Sequence, residues 1–364
     1  MRRHLFVDIS AHGFGHLAQV APVINALLDR RLPLQLTIRS ALPFAKLASR
    51  IHTPFDHIST CSDFGFAMID ATTIDHATSR QRYRDFHDDW ADKVTAEAAF
   101  LRAHHVDLVL TDVAYLPLAG AAQAGIRAMS MCSLNWADLF CHYYGHETGA
   151  RKIHHEILAA YRQAKPFFRP TPSMAMAELA DTCAVAPIGA CGKFIGDQLR
   201  AQLGCGATDK IILIAFGGID HTLDVAHWPM TPGLYWLVPA AWETERADMA
   251  ALEALDLNFT DLLASVDAVV TKPGYGTFVE AACNGTPVLY QRRDNWPEQD
   301  CLIEWLQLNA RALEASPEDI RSGTLLPALT ALWQQAAPPR PNTTGSEEIA
   351  DYLARCLTAD SRIS

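Results

Sequence analysis

Twice in this sequence a short apolar run passes into a glycine-rich loop that opens a helix-periodic segment. The first is HLFVDIS at 4–10, followed by His12-Gly13-Phe14-Gly15-His16; the second runs to Thr271 and continues as Lys272-Pro273-Gly274-Tyr275-Gly276-Thr277. A bounded apolar run of this length reads as a buried strand of a parallel sheet. After the first loop, Leu17, Val20, Ile24, Leu27 and Leu28 recur at helical spacing, and Leu34 to Ile38 is again strand-like. Strand, helix, strand in that order predicts an α/β fold with right-handed crossovers.

The pattern continues with strands at 106–111 and 127–133, an Ala-rich helix at 117–124 closed by Gly125, and a helix over 150–165. Pro22 fits a helix only if the helix begins close to it, because first-turn N–H groups lack an intrahelical partner anyway. The proline-rich segment 166–173 is expected to be irregular. The pattern then restarts, with strands at 211–216, 234–238, 265–271 and 287–290 and a helix at 277–284 stopped by Gly285. A length of 364 residues agrees with two domains, set here at 1–185 and 186–340. After a linker at 338–343 comes an amphipathic helix at 346–360, the kind of tail that often packs back on the first domain of a two-domain enzyme. The expected architecture is two doubly wound, Rossmann-like domains facing a central cleft, with ligands outside the carboxyl ends of the strands.

The formal net charge of −11 and the lack of any Lys/Arg-rich run exclude a backbone-tracking nucleic-acid binder. They do not exclude an anionic nucleotide, which backbone N–H groups at a helix start can hold. Nine cysteines, with no CxxC pair or zinc spacing, read as reduced thiols. The amino terminus does not read as a signal peptide, and no apolar run reaches the ~20 residues of a membrane span. A cytoplasmic location is expected.

The chemistry concentrates in three places. Gly274 and Gly276 allow close backbone approach, and Tyr275 to Thr277 begin a helix whose free N–H groups suit a diphosphate. Glu280, one turn on, can accept both hydroxyls of a ribose; Thr277-x-x-Glu280 equally fits a capping box, in which Glu280 only satisfies backbone donors. Gly217 and Gly218 end a strand of the same domain and can form an anion-binding nest. Lys272, Arg293, Glu298 and Gln299 follow strands as polar groups suited to a donor sugar, or as a solvated loop. In the first domain, His16 at a helix start and Asp112 at a strand end form a candidate base and orienter, with His12 competing for the base role. Trp136, Phe140, Tyr143 and Tyr144 either line a pocket or belong to the core; His12, Phe14, Asn135 and Trp136 are the acceptor-side candidates. The remaining histidine pairs have no third ligand in register, so no metal site is expected.

Residues 265–299, SVDAVVTKPGYGTFVEAACNGTPVLYQRRDNWPEQ, resemble the donor-binding half of GT-B glycosyltransferases. More closely, the whole chain resembles the amino-terminal glycosyltransferase-like region of plant L-arabinokinases, through HGFGH at 12–16, DLVLTDVAYLPLAGAAQAGI at 107–126, SLNWADLF at 133–140, FGG at 216–218 and KPGYGTFVEA with RRD at 272–294. The resemblance covers the glycosyltransferase-like module and not the sugar-kinase domain of those proteins, so sugar-kinase activity is not implied. By that resemblance His16 matches the loop histidine that serves as base in inverting enzymes, and Asp112 the aspartate that orients it. Glu280 matches the ribose-binding glutamate, and Glu298-Gln299 the acid–Gln pair that contacts the donor sugar. The tryptophan that stacks on uracil in plant enzymes has no match.

The implied function is metal-independent, inverting transfer of a sugar from a nucleotide donor, taken as UDP-linked, to a small-molecule or lipid acceptor. No cofactor beyond the nucleotide-sugar co-substrate is expected. Two other readings stand beside it: a GT-B-like sugar-nucleotide epimerase, and a non-catalytic nucleotide or sugar sensor.

Overall fold

A computed structural model describes residues 2–219, 221–243 and 245–359. The chain divides into two compact units. The first takes the residues up to Ala67, Ile74–Ile188 and the chain from Thr343; the second takes Met68–Thr73 and Gly189–Asn342.

The first unit contains seven strands, β1 (Arg3–Asp8), β2 (Leu34–Arg39), β3 (Asp56–Ile58), β4 (Leu108–Thr111), β5 (Arg127–Met131), β6 (Phe167–Pro170) and β7 (Thr182–Val185). They form one sheet in the order β3-β2-β1-β4-β5-β6-β7, with every pairing parallel. The second unit contains β8 (Lys210–Ala215), β9 (Leu234–Val238), β10 (Met249–Ala251), β11 (Ala268–Thr271), β12 (Val288–Tyr290) and β13 (Ala312–Glu314). Their order is β10-β9-β8-β11-β12-β13, again all parallel. Each chain path therefore starts in the middle of its sheet, winds to one side, and then returns to wind the other way. The reversal falls between β1 and β4 in one sheet and between β8 and β11 in the other. At such a point the two crossover connections leave in opposite directions and open a crevice at the carboxyl ends of the strands.

The strands read as unbroken apolar runs because both faces are covered. Leu5, Phe6 and Val7 of β1 and Ile211 to Ile214 of β8 expose no surface. In the second unit Ile212, Ile214, Trp236, Val270 and Leu289 build one core, and Ala71 joins them. Residues 68–73 thus belong to the second unit although they lie in the first half of the chain, which nothing in the sequence pattern announced.

Three expectations need correction. The helix carrying His16 runs from Gly15 to Leu28, so Pro22 sits well inside it. The proline removes one backbone bond, but burial of Leu17, Val20, Ile24 and Leu27 along the same helix offsets that loss. Residues 167–170 are not irregular: they form β6 between β5 and β7, with Phe167 and Phe168 buried. The first domain boundary falls between Ile188 and Gly189 rather than after 185.

The carboxyl-terminal helix, Gly345–Thr358, belongs to the first unit and packs on Gly15–Leu28. Ile349, Ala350, Leu353 and Leu357 form its buried stripe. Arg30 pairs with Asp351 at 2.8 Å, and the Tyr352 ring meets Phe168 edge-on. No helix among the described residues is long and apolar enough to cross a membrane.

Candidate active site

Each sheet places its chemistry at its own reversal point. In the first unit the carboxyl end of β1 leads to Ser10, His12 and His16, and the end of β4 leads to Asp112. Asp112 is anchored by its backbone N–H to Asp8 O (3.1 Å) and by its carbonyl, which accepts from Ser130 Oγ (2.8 Å). The carboxylate is fully buried and faces two ways. Oδ1 accepts the Ser10 N–H at 3.1 Å, and Oδ2 lies 2.6 Å from His16 Nδ1.

The Asp112 carboxylate faces Nδ1, and a proton held on that nitrogen leaves Nε2 as the basic one. Burial alone opposes charging the imidazole, but the Asp112 charge and hydrogen bond outweigh it and hold His16 well above its ordinary 6.5. The Cys132 thiol sits beside the ring and is itself pushed up by burial. Of the two candidate bases, His16 is the one set against Asp112 in the contact above. His12 instead packs edge-on against Trp136, ring centroids 5.3 Å apart, and its N–H donates to Ser10 Oγ (3.3 Å).

Of the acceptor-side candidates, Phe14 is exposed, with Lys46 Nζ 4.2 Å from its ring centroid. Asn135 and Trp136 expose no surface. Asn135 Oδ1 caps the helix Trp136–Tyr144 by accepting Asp138 N–H. Phe140, Tyr143 and Tyr144 lie on the same helix and are buried, so this cluster is core. Trp136 is no pocket wall: its Nε1–H donates to Asp63 Oδ2 at 2.8 Å.

Asp63 was not singled out by the sequence. It lies in the irregular stretch after β3, is buried, and also accepts from Ser10 Oγ at 2.9 Å. Burial, then the charges of Asp112 and Asp8, push its carboxyl up to about 7. Beyond it Asp8 pairs with Arg39 (2.5 Å), which in turn grips Glu97 through two nitrogens (2.6 and 2.9 Å).

In the second unit the end of β8 leads to Gly217 and Gly218, and the end of β11 to Lys272 and Gly274. Gly217 has φ +91°, a backbone state that favours glycine. A side-chain carbon on Gly217 or on Gly274 would lie 4.0 or 3.9 Å from Lys272 Nζ, so both loops border one ammonium. Burial, helped by the Arg293 charge and opposed by Glu298, lowers Lys272 to about 7. Arg293 is buried with its guanidinium over the Trp296 ring, 3.6 Å from the centroid. Lys272 and Arg293 thus supply a positive field beside two glycine loops.

The helix after Gly274 runs from Tyr275 to Asn284, and Gly285 stops it at φ +76°. Thr277 is inside this helix rather than at its cap, so the capping-box reading of Glu280 does not apply. Glu280 is buried, as are Tyr275 and Gly276. Glu298 accepts the Trp296 Nε1–H at 3.1 Å. Gln299 holds the Arg293 backbone at both ends of its amide, accepting N–H at 2.9 Å and donating to the carbonyl at 3.0 Å. Its visible role is therefore to shape the Arg293 loop.

No family model matches the chain. It is similar to L-arabinokinase of Arabidopsis thaliana, 25% identical over 329 residues, which cover 88% of this chain and 31% of that protein. The chain thus spans about a third of the length of that relative. Its structure is similar to a UDP-glucosyltransferase from Polygonum tinctorium capable of glucosylating indoxyl, with TM-score 0.61, 14% identity, and coverage of 98% of this chain and 99% of that one. The chain has the GT-B fold. A UDP-GlcNAc 2-epimerase from Methanocaldococcus jannaschii is also similar, with TM-score 0.54, 11% identity, and coverage of 96% of this chain and 99% of that one. GT-B therefore accounts for the two sheets of like strand order.

Proposed function

We propose that this GT-B chain is an inverting glycosyltransferase that moves a sugar from a UDP-linked donor to a hydroxyl of a small-molecule or lipid acceptor. The observation that carries the reading is the 2.6 Å contact between His16 Nδ1 and Asp112 at the end of the first sheet. Transfer needs a base and a site for a nucleoside diphosphate. The first unit has a base oriented for the task, and the second has glycine loops, two cations and a helix start suited to a diphosphate.

In the proposed step the acceptor oxygen bonds to the anomeric carbon while its proton passes to His16 Nε2. The bond from that carbon to the β-phosphate oxygen breaks, and its electron pair leaves with the nucleoside diphosphate. Asp112 stabilises the imidazolium. The N–H groups of Tyr275 to Thr277, with Lys272 and Arg293, take up the charge growing on the leaving group. These groups do the work that a divalent cation does elsewhere, so the proposed reaction needs none. Glu280, buried in the same helix, is assigned to the ribose hydroxyls, and Glu298 to the donor sugar.

The likeness to an epimerase favours a second reading, conversion of a sugar nucleotide with no acceptor. Proton NMR of the protein with UDP-sugars and hydroxylated acceptors separates the two. The transferase reading predicts released UDP and a new anomeric signal of inverted configuration, with the rate unchanged by EDTA. An epimerised nucleotide sugar without UDP release would favour the second reading. Binding without either change would leave a sensor.

A further inference from the structure

Four residues after β3 form a wall of the first unit's site through three separate anchors. Ser62 Oγ donates to Asp8 Oδ1 at 2.8 Å. Asp63 Oδ2 accepts from both Ser10 Oγ and Trp136 Nε1. Gly65, at φ +57°, lies so close to His12 and Trp136 that a side-chain carbon there would come within 2.8–2.9 Å of both rings. The segment is therefore built to hold the Asp63 carboxyl against Ser10, whose N–H Asp112 accepts.

Two hydrogen bonds satisfy Asp63 Oδ2, whereas Oδ1 is buried with no hydrogen-bond partner. A buried carboxylate oxygen left this way is costly beside other carboxylates, unless the group holds a proton or a positive charge stands nearby. The charged and titratable groups around it come from every neighbouring element. Asp8 lies on β1, Arg39 on β2, Glu97 on the helix Trp90–Ala103, Asp112 after β4, and His16 on the helix after the glycine loop. Cys61 precedes it in the chain, Tyr83 and Tyr115 feel its charge, and His12 packs on its partner Trp136. Arg39 is already committed to Asp8 and Glu97. The one remaining cation in this group is the His16 imidazolium, whose charge stabilises the ionised Asp63.

We propose that Asp63 is a positioning residue of the transfer reaction, linked through Ser10 and Asp112 to His16, and that its ionisation sets how readily the His16 ring takes a proton. Ser10 joins the two carboxylates directly, by N–H to Asp112 and by Oγ to Asp63. The Trp136 ring is held by Asp63 and lies 6.0 Å from the His16 ring, centroid to centroid. When Asp63 is ionised, the imidazolium formed during transfer gains a second negative neighbour. When Asp63 is neutral, only Asp112 remains. Asp63 and His16 then titrate as a coupled pair, the imidazolium favouring the ionised carboxylate.

This inference rests on the reading of His16 as base, but its first test does not need turnover. NMR titration of the His16 ring in the intact protein is compared between wild type, Asp63→Asn and Ser10→Ala. Asparagine keeps an acceptor for Ser10 and Trp136 while fixing the site in its neutral form. The expected result is a two-step His16 titration in wild type, and a single step at lower pH, shifted by about one unit, in Asp63→Asn. Ser10→Ala, which keeps the Asp63 charge but cuts the link, should give an intermediate shift. If transfer is observed, the acid limb of its pH–rate profile should move to lower pH by the same amount in Asp63→Asn. Titrations that coincide in wild type and Asp63→Asn would overturn the proposal and leave Asp63 as a holder of Trp136. Absence of transfer by wild type with the expected titration shifts would instead count against the proposed function alone.

Discussion

The two units share one strand order and one place for chemistry, yet they fill that place with different groups. In the first, the reversal point between β1 and β4 holds the carboxyl groups of Asp63 and Asp112 near the imidazole of His16, with Asp8 paired to Arg39 beside them. In the second, the reversal point between β8 and β11 holds glycine backbone, Lys272 and Arg293, with the buried Glu298 acting on Lys272. A negative, buried network raises the proton affinity of a base. A positive, glycine-lined crevice receives an anion. Under the proposed function, this difference gives proton transfer to the first unit and nucleotide binding to the second.

That division breaks most visibly at His16. His16→Ala should lower kcat by ~10²–10⁴ while UDP affinity stays at the wild-type value. Equal losses in turnover and in UDP affinity would show that the two tasks are not separate. Activity should fall as pH drops through the His16 value, above 6.5, because a protonated ring cannot accept the acceptor proton.

At Lys272 the effect should reverse in kind. Lys272→Met should weaken UDP about tenfold to a hundredfold, the range of a hydrogen bond to a charged group. Because burial lowers this ammonium to about 7, a bound diphosphate should draw a proton onto it. Calorimetry of UDP at pH 8 in two buffers of different ionisation enthalpy should therefore show proton uptake in wild type and less in Lys272→Met.

The wall of the first site is sharpened by Gly65→Ala, which forces a carbon against His12 and Trp136 at positive φ. A loss of about 1–3 kcal/mol in thermal or denaturant unfolding is expected, typical of overpacking. A smaller, pH-dependent effect is expected at Asp63. Between its ordinary 3.8 and its folded value of about 7, the folded chain keeps a proton that the unfolded chain has released. The stability this gives is present at low pH and lost as pH rises through about 7. The Tm of Asp63→Asn relative to wild type should therefore climb between pH 5 and pH 8; a constant difference would contradict the burial argument.

What could be read from the sequence was local. Glycine loops between an apolar run and a helical period mark both reversal points, and the structure places His16, Gly217, Lys272 and Gly274 beyond the carboxyl ends of β1, β8 and β11. Telling His16 from His12 needed coordinates, because both flank the same loop, and the structure sets the His16 ring on Asp112 and the His12 ring against Trp136. Asp63 was hidden for a different reason. It sits in a segment without periodicity, and its partners Ser10 and Trp136 lie 53 and 73 residues away. Residues 68–73 were hidden likewise, since membership of the second unit is a tertiary fact that six residues cannot encode. β6 was missed because prolines usually mark loops, yet the burial of Phe167 and Phe168 between two strands outweighs that local preference. Pro22 follows the same lesson within a helix.

The most direct test is calorimetric titration of UDP into wild type, His16→Ala and Lys272→Met under one set of conditions. The division of labour predicts that wild type and His16→Ala bind alike and that Lys272→Met binds more weakly. Unimpaired binding by Lys272→Met, or lost binding by His16→Ala, would contradict it.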